Sequence, residues 1–149
     1  MPPFRFRLTT LMRLREAERD DRRSRLADAQ QAEDIVNERI AGIEADLGRL
    51  RDEAGRRSRP GPMDVDALME LQRYEVLLNA ERQAALQQRE LVAAEVVRRR
   101  EALVVADREV RVLERLRETQ QMRHRQAEER QERKVLDEIA TQGFCRKER

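Results

Sequence analysis

One stretch governs what this chain can fold into: "AGRRSRPGPMDVD", residues 54 to 66, holds Gly55, Pro60, Gly61 and Pro62. Helix breakers are concentrated there, so the stretch divides the chain into two long helical segments. Apolar residues on either side recur at alternating spacings of three and four. Reading back from the loop, the first segment shows Ala54, Leu50, Leu47, Ile43, Ile40 and Val36, then Ala29 and Leu26, with Glu33 between. The frame then meets Arg22, Arg19 and Arg15 before Met12 and Leu8. The second segment reads Leu68, Leu71, Leu78, Ala85, Val92, Val96, Leu103, Ala106, Val110 and Leu113, interrupted by Glu75, Arg82, Arg89 and Arg99. Each stripe takes two positions in seven, a coiled-coil seam that is too narrow for a globular core.

Consecutive helices joined by a short loop lie antiparallel. The expectation is an all-α, antiparallel two-helix coiled-coil hairpin, with helix 1 at about 7–54, a loop at about 55–65 and helix 2 at about 66–142. The whole chain, 1–149, forms one such unit. Gly55 suits the position after a helix end, Asp64 or Asp66 can cap the next start, and Gly143 follows the second helix. Gly42 and Gly48 fall outside the seam and should face solvent, each weakening helix 1 by about 1 kcal/mol relative to Ala. Folding about residue 60 pairs positions whose numbers sum to roughly 121, placing Leu50 near Leu71 and Ile43 near Leu78. Helix 2 then outruns helix 1 by about 25 residues, or roughly 40 Å at 1.5 Å per residue.

That overhang contains "ETQQMRHRQAEERQERK", residues 118 to 134, where only Met122 and Ala127 interrupt polar side chains. It is polar because it has nothing to bury against, and packing supplies most helical stability. Apolar residues return at Val135, Leu136 and Ile139, marking a docking site for another protein. Within the seam, Arg15, Arg19 and Arg22 can lay their stems over the groove with their heads in water; the sharper alternative is a loosely held open end that splays against a partner.

Composition narrows the function classes. The chain is 42% charged and 3% aromatic, with a formal net charge of +2. Charges of both signs alternate, which supports pairs one turn apart and argues against the segregated basic patch of a nucleic-acid binder. The densest basic clusters, Arg56, Arg57 and Arg59, and Arg98 to Arg100, are short. Cys145 is the only cysteine, which excludes an internal disulfide and reads as an inert surface thiol. No apolar run approaches the roughly 20 residues of a membrane span, and "MPPFRFRLTT" lacks the oily core of a signal peptide. A soluble cytoplasmic chain is expected.

Catalytic chemistry finds no support. The lone histidine, His124, has Glu128 one turn on, but a tetrahedral metal site needs further His or Cys ligands. The five glycines never form a phosphate-cradling motif, and a two-helix layer offers no concave pocket for a catalytic triad. The reading is a non-enzyme without catalytic residues, cofactor, metal or small-molecule substrate.

The opening "FRFRLTTLMRLRE" (residues 4 to 16), "LERLRE" (113 to 118) and "ERQERKVLDEIATQGF" (129 to 144) resemble FliJ-type flagellar export proteins. The likeness covers the chain in length and helix-loop-helix layout, and "LDEIA" at Leu136 to Ala140 is its most telling fragment. The family's frequent Tyr in the overhang is replaced here by the neighbourhood of Met122 and His124. The resemblance implies a coiled-coil stalk of the type III export apparatus, monomeric alone and peripherally associated with the inner membrane at the flagellar base. Implied partners are the hexameric export ATPase, the cytoplasmic part of the export-gate membrane protein, and export chaperones. Tyr74 and Leu78 match the family's gate-contacting pair, although Leu78 equally fits the seam. Phe4, Phe6, Leu8, Leu11, Val135, Leu136 and Ile139 become the ATPase-ring contacts. A generic self-associating coiled coil, or the stalk of a virulence-type secretion system, stays open beside this reading.

Overall fold

The computed structural model describes residues 2–58, 61, 62 and 64–147, with side chains described through Gly143. Cys145, whose thiol was expected at the surface, has its side chain outside the described residues, as do Arg59 and Pro60 of the loop. Two helices account for the described fold, α1 (Thr9–Arg57) and α2 (Val65–Lys147), and no strand occurs among the described residues. The connectivity is the all-α helical hairpin anticipated from the seam.

Local chemistry sets the helix ends. Before α1, the Thr9 hydroxyl donates to the Phe6 carbonyl at 2.6 Å, turning the chain out of an irregular Pro2–Phe6 arm. Asp64 caps α2: its Oδ1 accepts from the Ala67 amide at 3.1 Å, satisfying one of the orphan donors of the first turn. Two glycines depart from expectation. Gly55 does not end α1, which continues to Arg57, and Gly143 lies inside α2. Arg56 and Arg57 explain part of this, since cations in a last turn favour the helix C-terminus. Arg57 also pairs with Glu53 at 2.7 Å. Gly42 and Gly48 are exposed, and a Cβ on either would meet nothing.

The helices pass through two compact units, Asp21–Leu103 and Met1–Asp20 with Val104–Arg149. In the first, α1 and α2 lie antiparallel around a cluster of Val36, Ile40, Ile43, Leu47, Leu50, Leu78 and Ala85. Leu71, Leu86 and Val92 cover its rim. These are the seam positions, and each large side chain so buried is worth about 1.5–3 kcal/mol. Interhelical polar contacts flank the cluster: Arg82 to Glu44 at 3.0 Å, Arg51 to Glu75 at 3.8 Å, and Arg99 Nη1 to the Arg25 carbonyl at 2.5 Å.

Those three pairs have residue numbers summing to 124–126, about one helical turn beyond the register of 121 inferred from the loop. Two effects account for the difference. The loop is centred at 61 rather than 60, because α1 runs on to Arg57 and α2 begins at Val65. Helical side chains also tilt toward their own N-terminus, so each covers a level about one residue earlier, which adds about one to each member of a meeting pair.

In the second unit α1 and α2 are again antiparallel, with Ala106 and Val110 buried and Arg15 bridging to Glu109 at 3.1 Å. A hydrogen bond to Glu18, at 2.8 Å, and the Glu109 charge hold the Arg15 guanidinium above its ordinary pKa. Arg15 and Arg19 are half-buried while Arg22 is exposed, as expected for stems that cover the seam and heads that reach water.

Candidate partner-binding surfaces

Among the described residues nothing assembles a reactive centre. No group of three His, Cys, Asp or Glu side chains converges, and no buried polar or charged side chain occurs. The surfaces available for function are apolar patches left uncovered on α1 and α2.

The first lies in the unit formed by Met1–Asp20 and Val104–Arg149. Overhanging helix was expected to begin near residue 118, bare of any partner in the chain. Instead the Pro2–Phe6 arm runs along it. His124 Nε2 donates to the Pro2 carbonyl at 3.1 Å, its Nδ1 lies 3.4 Å from Glu128, and the Phe4 ring meets the imidazole edge-on at 5.8 Å. Gln120, Gln121, His124, Ala127 and Glu128 are accordingly half-covered. The Phe4 ring and the Pro2 carbonyl provide what the polar helix lacks, a partner for its otherwise solvated face at His124. Beside the arm, Phe4, Phe6, Met12, Arg13 and Arg117 line a recess of about 540 Å³. Phe4 and Phe6 are half-buried, with Leu8 at 37% and Leu11 at 38% exposure beside them.

From Glu129 to Gly143 every residue is exposed. This is the part of α2 that remains bare. Val135 and Leu136 retain 44% and 65% of their surface, and Ile139, one turn on, retains 61%. Three apolar side chains at that spacing form the face an amphipathic helix presents to a groove.

The other surface lies in the Asp21–Leu103 unit, at the start of α2. Of the expected pair, Tyr74 is about half exposed, whereas Leu78 is buried in the apolar cluster and offers nothing to solvent. Leu78 is therefore a seam residue, the second of its two readings. The exposed apolar side chains near Tyr74 are Met69, Val76 and Leu77, and Met69, Val76 and Leu77 line a shallow depression with Gln72 and Arg73. Leu77, one position before Leu78, faces out because a single residue rotates a side chain about 100° around the helix. The seam frame itself carried the signal, since it assigns Leu78 inward and leaves Leu77 out.

Two long helices that bury one narrow seam and leave apolar patches bare define an α-helical hairpin protein. The chain belongs to the FliJ family: the model of the flagellar FliJ protein matches residues 4–149. No curated protein and no solved structure matches it. Family membership makes the chain a component of the flagellar protein export apparatus. Among the described residues no helix is long and apolar enough to cross a membrane.

Proposed function

We propose that this protein is the stalk of the flagellar export ATPase, gripped at its bare α2 segment by the hexameric ring. The observation that carries the reading is the uncovered run Glu129–Gly143, with Val135, Leu136 and Ile139 exposed on it. The Pro2–Phe6 arm and the first turns of α1, through Leu8 and Leu11, extend the same docking region. The depression lined by Met69, Val76 and Leu77, with Tyr74 one turn before Leu77 at its edge, is assigned to the cytoplasmic part of the export gate, in place of the buried Leu78. Export chaperones are escorted by the same exposed helix surfaces, and the protein is held at the inner-membrane base of the flagellum through these partners rather than by a span of its own.

The test is a pull-down of the export ATPase with the Leu136→Asp, Ile139→Asp double variant. Capture of the ATPase is lost, while the thermal melt of the helical pair stays unchanged, because neither residue contributes to a buried cluster. Retained capture would show that the ring holds the chain elsewhere.

A further inference from the structure

We infer that a second copy of this chain packs antiparallel against one flank of the Asp21–Leu103 unit, giving a weak twofold dimer. The flank is defined by a groove that Asp28, Ala29 and Ala32 of α1 share with Leu91, Val92 and Glu95 of α2. Heptad steps along α1 carry Asp28 to Ile35, Gly42 and Arg49, and along α2 carry Leu91 back to Ala84 and Leu77. Leu91 is 75% exposed, Leu77 62% and Ile35 59%, in a unit where Leu47, Leu50 and Leu78 of the seam are nearly closed to water. Gly42 and Ala84 are also exposed, and a Cβ at Gly42 would meet open space.

The antiparallel register sets Ile35 level with Leu91, and Gly42 level with Ala84, because both pairs obey the sum of 126 shown by Arg82 with Glu44. Two protruding side chains thus sit one heptad, about 10 Å, from a hollow made by Gly42 and Ala84. Such a surface is self-complementary. A twofold axis crossing between the two levels lowers Ile35 onto Gly42 of the second copy and Leu91 onto its Ala84, and the symmetry repeats both contacts in reverse. The same axis sets Asp28 opposite Arg49 and Glu38 opposite Arg39, each twice, with Gln87 meeting Gln88 at the centre. No like charges face each other in these pairs. The opposite flank has no such match, since α1 presents Asp34, Asn37, Glu44 and Arg51 there.

The contact spans residues 28–49 and 77–98, about 33 Å of two helices roughly 20 Å across, or about 1,300 Å² over both copies. That is near the lower edge of specific interfaces, so the dimer is expected to form reversibly at about 10 μM rather than to be obligate. The monomer implied by the family resemblance becomes the dilute form. Leu77 belongs both to this flank and to the face assigned above to the gate. If that assignment holds, the dimer withholds the gate contact until a partner competes for it.

Sedimentation equilibrium of the full chain, without any partner, tests the dimer apart from the export reading. A monomer–dimer equilibrium is expected between about 1 and 200 μM, a range that brackets the affinity expected of so small an interface. Arg49→Asp and Asp28→Arg each weaken it at least tenfold, and the double variant returns it to within about threefold of the parent, as expected for a directly opposed charge pair. Gly42→Leu fills the hollow, so it raises the melting temperature of the dilute chain while abolishing the dimer. A parent chain that stays monomeric to 200 μM overturns the inference, and so does a dimer indifferent to Gly42→Leu or not restored by the double charge swap.

Discussion

Deleting the same atoms from two leucines should give very different results. Leu47 is 4% exposed within the apolar cluster, whereas Leu91 is 75% exposed. Leu→Ala removes about three carbons, worth roughly 0.8 kcal/mol each when fully buried, so the transfer loss at position 47 is about 2.4 kcal/mol. A cavity adds to this, but a two-helix layer is open on both flanks and closes over a gap more readily than a globular core. The expected cost at Leu47 is therefore near the low end of buried leucine truncations, about 2–3 kcal/mol. At Leu91 only about a quarter of the side chain is withdrawn from water, which limits the loss to about 0.6 kcal/mol. Circular dichroism at 222 nm, followed through urea denaturation at low micromolar concentration, measures both. At about 2–4 °C per kcal/mol for a chain of this size, Leu47→Ala should also lower the melting temperature by roughly 4–12 °C. Equal costs at the two positions would refute the seam as the source of stability.

Two further outcomes follow from one-residue and one-turn distinctions in the Asp21–Leu103 unit. Leu77→Asp should leave folding within about 0.5 kcal/mol of the parent and weaken binding to the export gate, whereas Leu78→Asp, which buries a carboxylate in the cluster, should cost more than about 3 kcal/mol; urea melts and a gate pull-down check the pair, and the reverse ranking would put Leu78 outside. With Cys145 replaced by serine, a short bismaleimide should join Glu44→Cys to Arg82→Cys faster than Glu44→Cys to Glu75→Cys. The opposite order would restore the earlier register of 121.

The alternation of threes and fours was enough to read the hairpin, its seam and the solvent-facing Gly42 and Gly48, because each of these depends on local helical period. What required a sum over distant positions was less legible. The register depends on where both helices stop, and Gly55 and Gly143 looked like stops although neighbouring residues carry the helix through them. Tyr74 and Leu78 were matched by motif spacing, yet the cluster around Ile43 and Leu47 claims Leu78 and turns Leu77 outward. The Pro2–Phe6 arm was invisible for a different reason. Its contact with His124 joins residues more than a hundred apart through one ring pair and one hydrogen bond, and no periodic pattern announces such a meeting. The bare α2 segment, by contrast, was announced by Val135, Leu136 and Ile139 standing together after a polar run.

Hydrogen exchange followed residue by residue, on the chain alone and then with the export ATPase, bears most directly on a helical pair that holds one segment out for a partner. Residues 36–50 and 78–110 should exchange slowly in both samples, while Glu129–Gly143 should exchange orders of magnitude faster alone and slow sharply when the ATPase is added. Protection of Glu129–Gly143 in the free chain equal to that of the cluster around Leu47 would contradict the account.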